Sequence, residues 1–263
     1  MDRPLRIVQL SDVHLSKEPH KLLLGVNTEE SFRAVIDHIK KNHDYPDLVL
    51  LSGDLSQDGS KESYIRVAEM LADLASPVYV IPGNHDNVHA MKAVYPYGPI
   101  RIERHVLFHD WQMILLNSHK ENAVEGHLDQ QEFNFLKTCL EKSSLPALMS
   151  FHHQPVSVGS MWLDRLGVCN AEEFWQEIKS FPQINTILFG HVHQEHEGER
   201  QGVRYYSTPS TCIQFKAKSR EFALDKIGPG YRWLELYQNG KMKTLIKRVP
   251  YYIGEFLKDA KGY

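Results

Sequence analysis

The hydrophobic positions of the chain fall into short apolar runs that alternate with segments of helical periodicity. The runs are rich in Val, Ile and Leu, which is typical of buried strands. Each run spans only four to seven residues, too few for a helix of ordinary length. The pattern predicts strands at 5–10, 48–52, 78–81, 113–117, 147–151, 186–189, 203–207 and 231–237.

Two amphipathic repeats lie between the first three predicted strands. Apolar residues recur at i, i+3, i+4 and i+7 from Phe32, after Thr28, which we predict as the N-cap of the first helix. The same spacing begins at Tyr64, after Ser60 as the second cap. Two later helix starts are predicted from capping boxes, Asp129 with Glu132 and Asn170 with Glu173.

The order of the predicted elements is β-α-β-α-β, followed by strands with fewer helices between them. This order favours an α/β fold whose second half is partly antiparallel. The sequence has no internal repeat and no linker rich in Pro, Gly or Ser, so we predict one domain over residues 1–263. The weak periodicity of residues 252–263 predicts a C-terminal tail or flap.

Composition narrows the class of protein. The 263 residues are 42% hydrophobic and 24% charged with a net charge of −3, the balance of an ordinary soluble protein without the basic excess of a general nucleic-acid binder. No apolar run reaches the roughly 18–20 residues of a membrane helix, and the N-terminus does not resemble a signal peptide. The three cysteines show no metal-binding spacing. We therefore expect a cytoplasmic protein with reduced thiols and no membrane or nucleic-acid partner.

Five of the predicted strands are followed at once by side chains that bind metals or transfer protons. In open α/β sheets, ligands bind just outside the carboxyl ends of the strands, and neighbouring strands lie only about 4.8 Å apart. Five such ends are expected to bring their side chains to one point. The residues concerned are Asp12 and His14, Asp54, Asn84 with His85 and Asp86, His152 with His153, and His191 with His193.

The donor types at these ends favour a divalent metal. Imidazole, carboxylate and amide oxygen without thiolate suit Mn, Fe, Co or Zn. Seven such groups exceed the needs of one tetrahedral ion and suit two ions that share a carboxylate; they are Asp12, His14, Asp54, Asn84, His152, His191 and His193. Asp54, alone at its strand end, is the predicted bridge. Asp12 and His14 are two residues apart, as are His191 and His193, so each pair would point to one side of an extended segment.

Each of these residues also has a simpler interpretation. A single Asp after a strand is often a helix cap or turn residue, and Gly-Asn-His-Asp also suits a turn. The recurrence of all five motifs in one register, directly after a strand, disfavours that alternative. Alternation along a strand would let only one of His152 and His153 face the site, and the spacing does not decide which.

Together these motifs resemble a known signature. Asp12-x-His14, Gly53-Asp54, Gly83-Asn84-His85-Asp86, His152 and Gly190-His191-x-His193 are similar to the five motifs of the calcineurin-like metallophosphoesterases. Residues 24–28, 157–164, 208–215 and 224–230 are further similar to the class III cyclic-nucleotide phosphodiesterases of bacteria, which act on cyclic AMP. The resemblance covers nearly the whole chain. One departure is Gln154, where relatives often carry a further histidine.

The resemblance implies a four-layer αββα sandwich, with two mixed β-sheets flanked by helices, and a site that holds two divalent ions. Iron or manganese (Fe²⁺ or Mn²⁺) is favoured, with Zn²⁺ and Co²⁺ as alternatives. The first ion would be held by Asp12, His14, Asp54 and His193, and the second by Asp54, Asn84, His152 and His191. His85 would be catalytic without binding metal, and Asp86 would orient it. The residues implied to bind substrate are His14, Asp54, Asn84, His85 and His193.

The implied activity is hydrolysis of 3′,5′-cyclic AMP to 5′-AMP, which lowers cellular cyclic AMP. Coordination can lower the pKa of water to about 7, so a metal-bound hydroxide would attack phosphorus while His85 protonates the departing ribose oxygen. The alternatives are a phosphodiesterase of broader specificity, a nucleotide pyrophosphatase, and a metal-free protein-binding scaffold. Cyclic AMP and 5′-AMP are the implied partners, and formation of a homodimer is left open.

Base recognition is less well marked in the sequence. Loops 118–128 and 155–170 are predicted to wall the nucleotide pocket. Trp162, Phe215 and Tyr231 are candidates for stacking on the base, with a place in the core as the alternative for each. Asn170 is predicted to act only as a helix cap, and nine further histidines, His119 among them, are predicted to have no role in the site.

Overall fold

The computed structural model describes residues 3–42, 45–108, 110–251, 254–255 and 262. All eight predicted strands are present, four of them with the predicted bounds. Most of the strands that the pattern missed are very short. In chain order the strands are β1 Leu5–Leu10, β2 Leu22–Leu23, β3 Val26–Asn27, β4 Leu48–Ser52, β5 Val78–Ile81, β6 Ile100–Arg101, β7 His105–Leu107, β8 Gln112–Leu115, β9 Ala147–Ser150, β10 Ile184–Phe189, β11 Glu197–Arg200, β12 Val203–Ser207, β13 Gln214–Phe215, β14 Leu224–Asp225, β15 Gly230–Leu236 and β16 Met242–Arg248.

The helices follow the predicted amphipathic segments. Side chains that face a sheet are apolar and buried, while the opposite faces are charged, as in the first helix, where Phe32, Val35 and Ile36 are buried. The helices are α1 Thr28–Lys41, α2 Lys61–Leu71, α3 Val88–Val94, α4 Gln130–Lys142 and α5 Ala171–Ile178, with 3₁₀ turns at Ala72–Leu74 and Leu163–Arg165. Among the described residues, no helix is both long and apolar enough to cross a membrane.

Two mixed six-stranded sheets form the centre of the fold. The first has the order β16-β15-β1-β4-β5-β6, in which β1, β4, β5 and β6 are parallel and β15 is antiparallel to both of its neighbours. The second has the order β11-β12-β10-β9-β8-β7, with a parallel centre and antiparallel edge strands. The parallel strands thus direct their carboxyl ends to one edge of each sheet.

Three apolar clusters define four layers. One lies between the first sheet and α1, α2 and α3. A second lies between the other sheet and α4 and α5. The third joins the two sheets face to face and includes Ile7, Leu50 and Leu188. The αββα sandwich implied by the sequence resemblance is therefore confirmed.

Two predicted helix caps are wrong in detail. The N-cap of α1 is Asn27, whose side chain accepts hydrogen bonds from the amides of the first turn, while Thr28 donates its hydroxyl to the carbonyl of His14. Asn170 is the N-cap residue of α5 as predicted, and its side-chain amide donates to Glu173 at 2.9 Å, but its side chain accepts no amide hydrogen bond from the helix. Its side-chain oxygen instead accepts the backbone amide of Leu128, and its side-chain nitrogen donates to the Leu128 carbonyl. These two bonds connect the loop before α5 with the loop before α4.

The predicted C-terminal tail or flap at 252–263 lies almost wholly outside the described residues. The last long described strand, β16, is an edge strand whose burial alternates between exposed and half-buried positions. Its sequence, Met-Lys-Thr-Leu-Ile-Lys-Arg, lacks the continuous apolar run of a buried strand. This explains why the hydrophobic pattern did not predict it.

The contact between the sheets predicts a measurable stability effect. We expect Leu50→Ala to lower the free energy of unfolding by about 2–5 kcal/mol, because it opens a cavity at a fully buried position. Leu245→Ala is the matched control, since Leu245 is 48% exposed on an edge strand of the same sheet and should change stability by about 0.5 kcal/mol or less. Denaturant unfolding measures both, and equal losses would contradict this account of the core.

Candidate metal centre

The two sheets meet at the carboxyl ends of their parallel strands, where the five polar motifs lie. Asp12 and His14, after β1, donate their backbone amides to the carbonyls of Gly53 and Asp54, after β4, at 3.0 Å each. The second sheet is tied to the first because the Asp12 carboxylate accepts the His191 amide at 3.2 Å. Short contacts of this kind hold all five loops in one place.

The backbone at the site is unusual. Five predicted metal ligands are in the left-handed region, with φ between 48° and 64°: Asp12, His14, Asp54, His191 and His193. Non-glycine residues rarely adopt this conformation, and such strain concentrates at functional sites. The sequence interpretation assumed that the segments carrying the i, i+2 pairs are extended. The φ values show that they are not. Each pair reaches one place because the backbone coils, not because side chains alternate.

Two glycines allow the loops to approach closely. Gly53 has a φ of +98°, and a Cβ atom there would collide with the His152 ring. A Cβ atom at Gly83 would collide with the carboxylate and backbone amide of Asp54. Any side chain at either position would thus push a predicted ligand out of place.

Asp12, His14 and His193 form the first ligand group. Their donor atoms all lie within 4.8 Å of one another, and the Nε2 atom of His193 is 3.2 Å from Asp12 and 3.3 Å from the Nε2 atom of His14. The other ring nitrogen of each histidine faces an oxygen. Nδ1 of His14 is 2.8 Å from Oε1 of Gln57, and Nδ1 of His193 is 2.9 Å from the carbonyl oxygen of Ile213. An imidazole whose Nδ1–H donates to an oxygen offers the lone pair of Nε2 to a metal.

The second group contains polar atoms that the described protein leaves unsatisfied. His152 donates Nδ1–H to the carbonyl of Ser52 at 2.8 Å, which turns its Nε2 atom towards the site. There it faces the Asp54 carboxylate at 3.2 Å, whereas the Nε2 atom of His191 and the Oδ1 atom of Asn84 are buried without a hydrogen-bond partner among the described residues. Burying such atoms unpaired is costly. A divalent cation is a fitting partner for two imidazole nitrogens and an amide oxygen.

Asp54 lies between the two groups. One carboxylate oxygen is 3.2 Å from Nε2 of His152 and 3.7 Å from Nε2 of His14, so it faces a member of each group. The other oxygen accepts the backbone amide of His85 at 2.9 Å. Burial alone would raise the pKa of Asp54, but the surrounding histidines outweigh burial and hold the pKa well below its usual range. The carboxylate is therefore charged and available to both groups.

The histidines titrate in a way that suits metal binding. Burial lowers the pKa of His14 and of His191 to about 3, so both rings are neutral at pH 7 and keep a lone pair. Burial also acts to lower the pKa of His152, but the neighbouring Asp54 outweighs it and raises the pKa to about 9. A cation bound between His152 and Asp54 would therefore displace a proton.

His153 is fully buried beside these residues, and its donor atoms lie within 4.8 Å of those of His152 and His191. Both of its ring nitrogens are used, however. Nε2 is 3.1 Å from the carbonyl of Val124 and must donate to it, so Nδ1 must accept from the Ser118 hydroxyl 2.8 Å away. The neutral ring then has no lone pair left for a metal. Strand alternation does not separate His152 from His153, because β9 ends at Ser150.

His85 and Asp86 have different surroundings. The His85 ring is partly exposed and packs edge-on to His14, with 5.0 Å between ring centroids, and it is also close enough to His14 and Asp54 to share an ion with them. The hydrogen bonds to the buried Asp86 carboxylate come from Tyr64 and three backbone amides, those of Leu55, Ser56 and Gly83. Asp86 thus fixes the turns that carry Asp54 and His85, and its effect on the His85 ring acts through the backbone.

A cavity of about 690 Å³ opens beside Asn84 and His85. Its other walls are Asp58 and Gly59, the start of α3, and part of the loop after β8. Five residues of the first predicted wall, 118–128, line the cavity: His119, Glu121, Asn122, Ala123 and Val124. Of the described residues that line it, none comes from the second predicted wall, 155–170. Ten of the fourteen lining residues are polar or charged, although polar and apolar atoms share the lining surface about equally, which suits a ligand with both kinds of group.

The three aromatic candidates for stacking lie elsewhere. Tyr231 is fully buried in the cluster beneath α1. Phe215 is buried and stacks on the His193 ring, with 4.1 Å between centroids and 12° between planes, and Trp162 packs against Phe215 and Phe222. Core packing, the alternative considered for each, is correct for Tyr231 and Phe215. The sequence interpretation also missed Gln57 and the Ile213 carbonyl, which orient His14 and His193 without any motif of their own.

Comparisons with known proteins agree with this geometry. Residues 5–195 match the family described as calcineurin-like phosphoesterase. The chain is 37% identical over its full length to the 3′,5′-cyclic adenosine monophosphate phosphodiesterase CpdA of Pseudomonas aeruginosa, covering 96% of that protein. It is 39% identical over 94% of its length to the 3′,5′-cyclic-nucleotide phosphodiesterase alr5338 of Nostoc sp., covering 94% of it.

A solved structure supports the fold alone. A dimetal phosphatase from Danio rerio superimposes with a TM-score of 0.60 at 12% identity, covering 95% of this chain and all of that one. The family match, the two full-length relatives and the donor groups that could hold divalent metal lead to one assignment. The chain belongs to the calcineurin-like phosphoesterase family.

Proposed function

We propose that this protein is a metal-dependent hydrolase that converts 3′,5′-cyclic AMP to 5′-AMP. The observation that carries the proposal is the pair of candidate ligand groups on either side of Asp54, whose carboxylate faces His14 of one group and His152 of the other. The second group also holds the Nε2 atom of His191 and the Oδ1 atom of Asn84, which are buried without a partner among the described residues. The two relatives described above act on 3′,5′-cyclic nucleotides according to their names, and they match nearly the whole chain. The substrate is therefore expected to be the same.

The donor set fits two divalent ions. Asp12, His14 and His193 would hold one ion and Asn84, His152 and His191 the other, with Asp54 between them. Nitrogen and oxygen donors without thiolate accept Fe²⁺ or Mn²⁺, and also Zn²⁺ or Co²⁺, so metal availability decides among them. When bound, divalent ions stabilise the charge on the phosphoryl oxygens and activate water.

The residues of the chain supply orientation and proton transfer. Hydrolysis joins a water oxygen to phosphorus and breaks the bond between phosphorus and the ribose 3′-oxygen, which must gain a proton. His85 lies at the cavity with its backbone amide fixed by Asp54, and its imidazole donates that proton. The His14 and His193 rings and the charged Asp54 carboxylate face the phosphate together with the Asn84 amide, and Asp86 holds the turn that carries His85.

Substrate class is tested by assaying the purified protein against cyclic AMP, cyclic GMP, 2′,3′-cyclic AMP and bis(p-nitrophenyl) phosphate. We expect the highest kcat/KM with cyclic AMP and 5′-AMP as its product. Comparable kcat/KM on all four compounds would support the broader phosphodiesterase instead. A purified protein that binds no metal when metal is supplied and hydrolyses none of them would support the metal-free scaffold.

Metal removal should separate loss of activity from loss of fold. We expect chelation to abolish hydrolysis and added Mn²⁺ or Fe²⁺ to restore it. The metal should also stabilise the folded protein, by about 2.7 kcal/mol when its free concentration is 100 times the dissociation constant. Thermal unfolding with and without metal measures this shift. Unchanged hydrolysis after complete chelation would contradict the proposal.

A further inference from the structure

The cavity beside Asn84 and His85 contains a histidine for which the proposed reaction has no task. His119 lines this cavity and is partly buried. The cavity volume, about 690 Å³, lies within the range of about 300–1,000 Å³ that is usual for small-molecule sites. A phosphate at Asn84 and His85 would leave the rest of this space for the remainder of the substrate.

The loop that carries His119 is held firmly against the site. At its start, the Ser118 hydroxyl bonds Nδ1 of His153 at 2.8 Å, and farther along, the carbonyl of Val124 accepts Nε2–H of the same ring at 3.1 Å. The His153 ring in turn contacts that of His152, with 4.9 Å between centroids. The His127 amide closes the loop by donating to the Ser118 carbonyl at 3.0 Å. The loop is thus fixed relative to a predicted metal ligand.

The His119 ring itself is available to a ligand. Its backbone amide donates to Oδ1 of Asn117 at 2.9 Å, which sets the turn, but no described residue hydrogen-bonds its imidazole. Burial lowers the pKa of His119 although the charge on Asp54 opposes this, so the ring is neutral at pH 7. A neutral imidazole offers one donor and one acceptor. Both suit the hydroxyl groups and ring nitrogens of a nucleoside.

We infer that His119 is a substrate-binding residue that contacts the nucleoside part of the substrate within the cavity beside Asn84 and His85. This inference rests on the proposed function, because a nucleoside is present only if the substrate is a nucleotide. On this inference the loop after β8 recognises the nucleoside, whereas the residues that follow the parallel strands bind the metals and carry out the hydrolysis.

The test compares two substrates in His119→Ala. Cyclic AMP carries a nucleoside, whereas bis(p-nitrophenyl) phosphate carries aryl groups without hydroxyls or basic ring nitrogens. We expect KM for cyclic AMP to rise about threefold to tenfold, the effect of one lost neutral hydrogen bond, with kcat nearly unchanged. The kcat/KM of His119→Ala for the aryl diester should stay within about twofold of wild type. His119→Gln, which keeps a hydrogen-bonding side chain, should have a KM for cyclic AMP between those of His119→Ala and wild type.

His127→Ala is the matched control, because this histidine lies on the same loop with its ring against Cys169 and does not line the cavity. We expect it to behave as wild type on both substrates. An unchanged KM for cyclic AMP in His119→Ala and His119→Gln, or an equal loss on both substrates, would overturn the inference. A wild-type protein that hydrolyses the aryl diester but not cyclic AMP would instead remove the proposed function. Thermal unfolding of each variant checks that it is folded.

Discussion

His85→Ala is expected to lower kcat for cyclic AMP by about 10²–10⁴-fold, the usual contribution of a positioned general acid. The ribose 3′-oxygen is a poor leaving group unless it gains a proton as its bond to phosphorus breaks. The His85 imidazole lies at the cavity and is held by the bond from its backbone amide to Asp54. That backbone bond survives the substitution, so the metal ligands should stay in place.

The metal content of His85→Ala distinguishes a loss of proton transfer from a loss of metal. The His85 ring is close enough to His14 and Asp54 to share an ion with them. We expect His85→Ala to bind as much metal as wild type, which would show that His85 acts on the substrate. Loss of an ion would show instead that His85 is a ligand. His20→Ala, at an exposed histidine, is the control for an imidazole removed elsewhere.

A leaving group that needs no proton provides a second check on His85. A p-nitrophenolate ion leaves readily without protonation, so the aryl diester should lose much less kcat in His85→Ala than cyclic AMP does. Equal losses on the two substrates would contradict a role as general acid.

Asp54→Ala is expected to remove both ions, because this carboxylate faces His14 of one ligand group and His152 of the other. Hydrolysis should then fall to the background rate. The measurement is metal content per chain after dialysis, together with the metal concentration that restores activity. A variant that keeps two tightly bound ions would contradict the bridging role.

Asn84→Ala is the comparison that tests whether Asp54 is shared by the two ions. The Oδ1 atom of Asn84 belongs to only one of the two ligand groups. We therefore expect the variant to bind one ion more weakly and the other ion as tightly as wild type. Asp54→Asn adds a further distinction, since it keeps an oxygen for the His85 amide but loses the charge. It should lose metal as Asp54→Ala does, whereas its thermal unfolding should be closer to wild type.

Much of the fold follows from the hydrophobic pattern. Parallel strands such as β4 and β5 are largely buried on both faces, so their residues form nearly continuous apolar runs with clear ends. The polar residues that follow them had to converge, because parallel strands share one edge. Edge strands such as β11, with the sequence Glu-Gly-Glu-Arg, carry no such signal, since their pairing is set by neighbours distant in sequence.

The clustering of the polar side chains at the site was predictable from the sequence, whereas their backbone geometry was not. The polar motifs after the strands mark Asp12, Asp54 and the histidines, yet the left-handed backbone at these positions comes from loop contacts that no local pattern encodes. The choice between His152 and His153 likewise depends on Ser118 and Val124, two residues on another loop. Nothing in the local sequence of His119 distinguishes it from a surface histidine, so its inferred contact with the substrate depends on its place in the cavity.

Anomalous diffraction from a crystal of this protein loaded with Mn²⁺ tests the paired metal centre directly. We expect two anomalous peaks, one on each side of the Asp54 carboxylate, the first facing Asp12, His14 and His193 and the second facing Asn84, His152 and His191. A single peak, or peaks away from these side chains, would contradict the account.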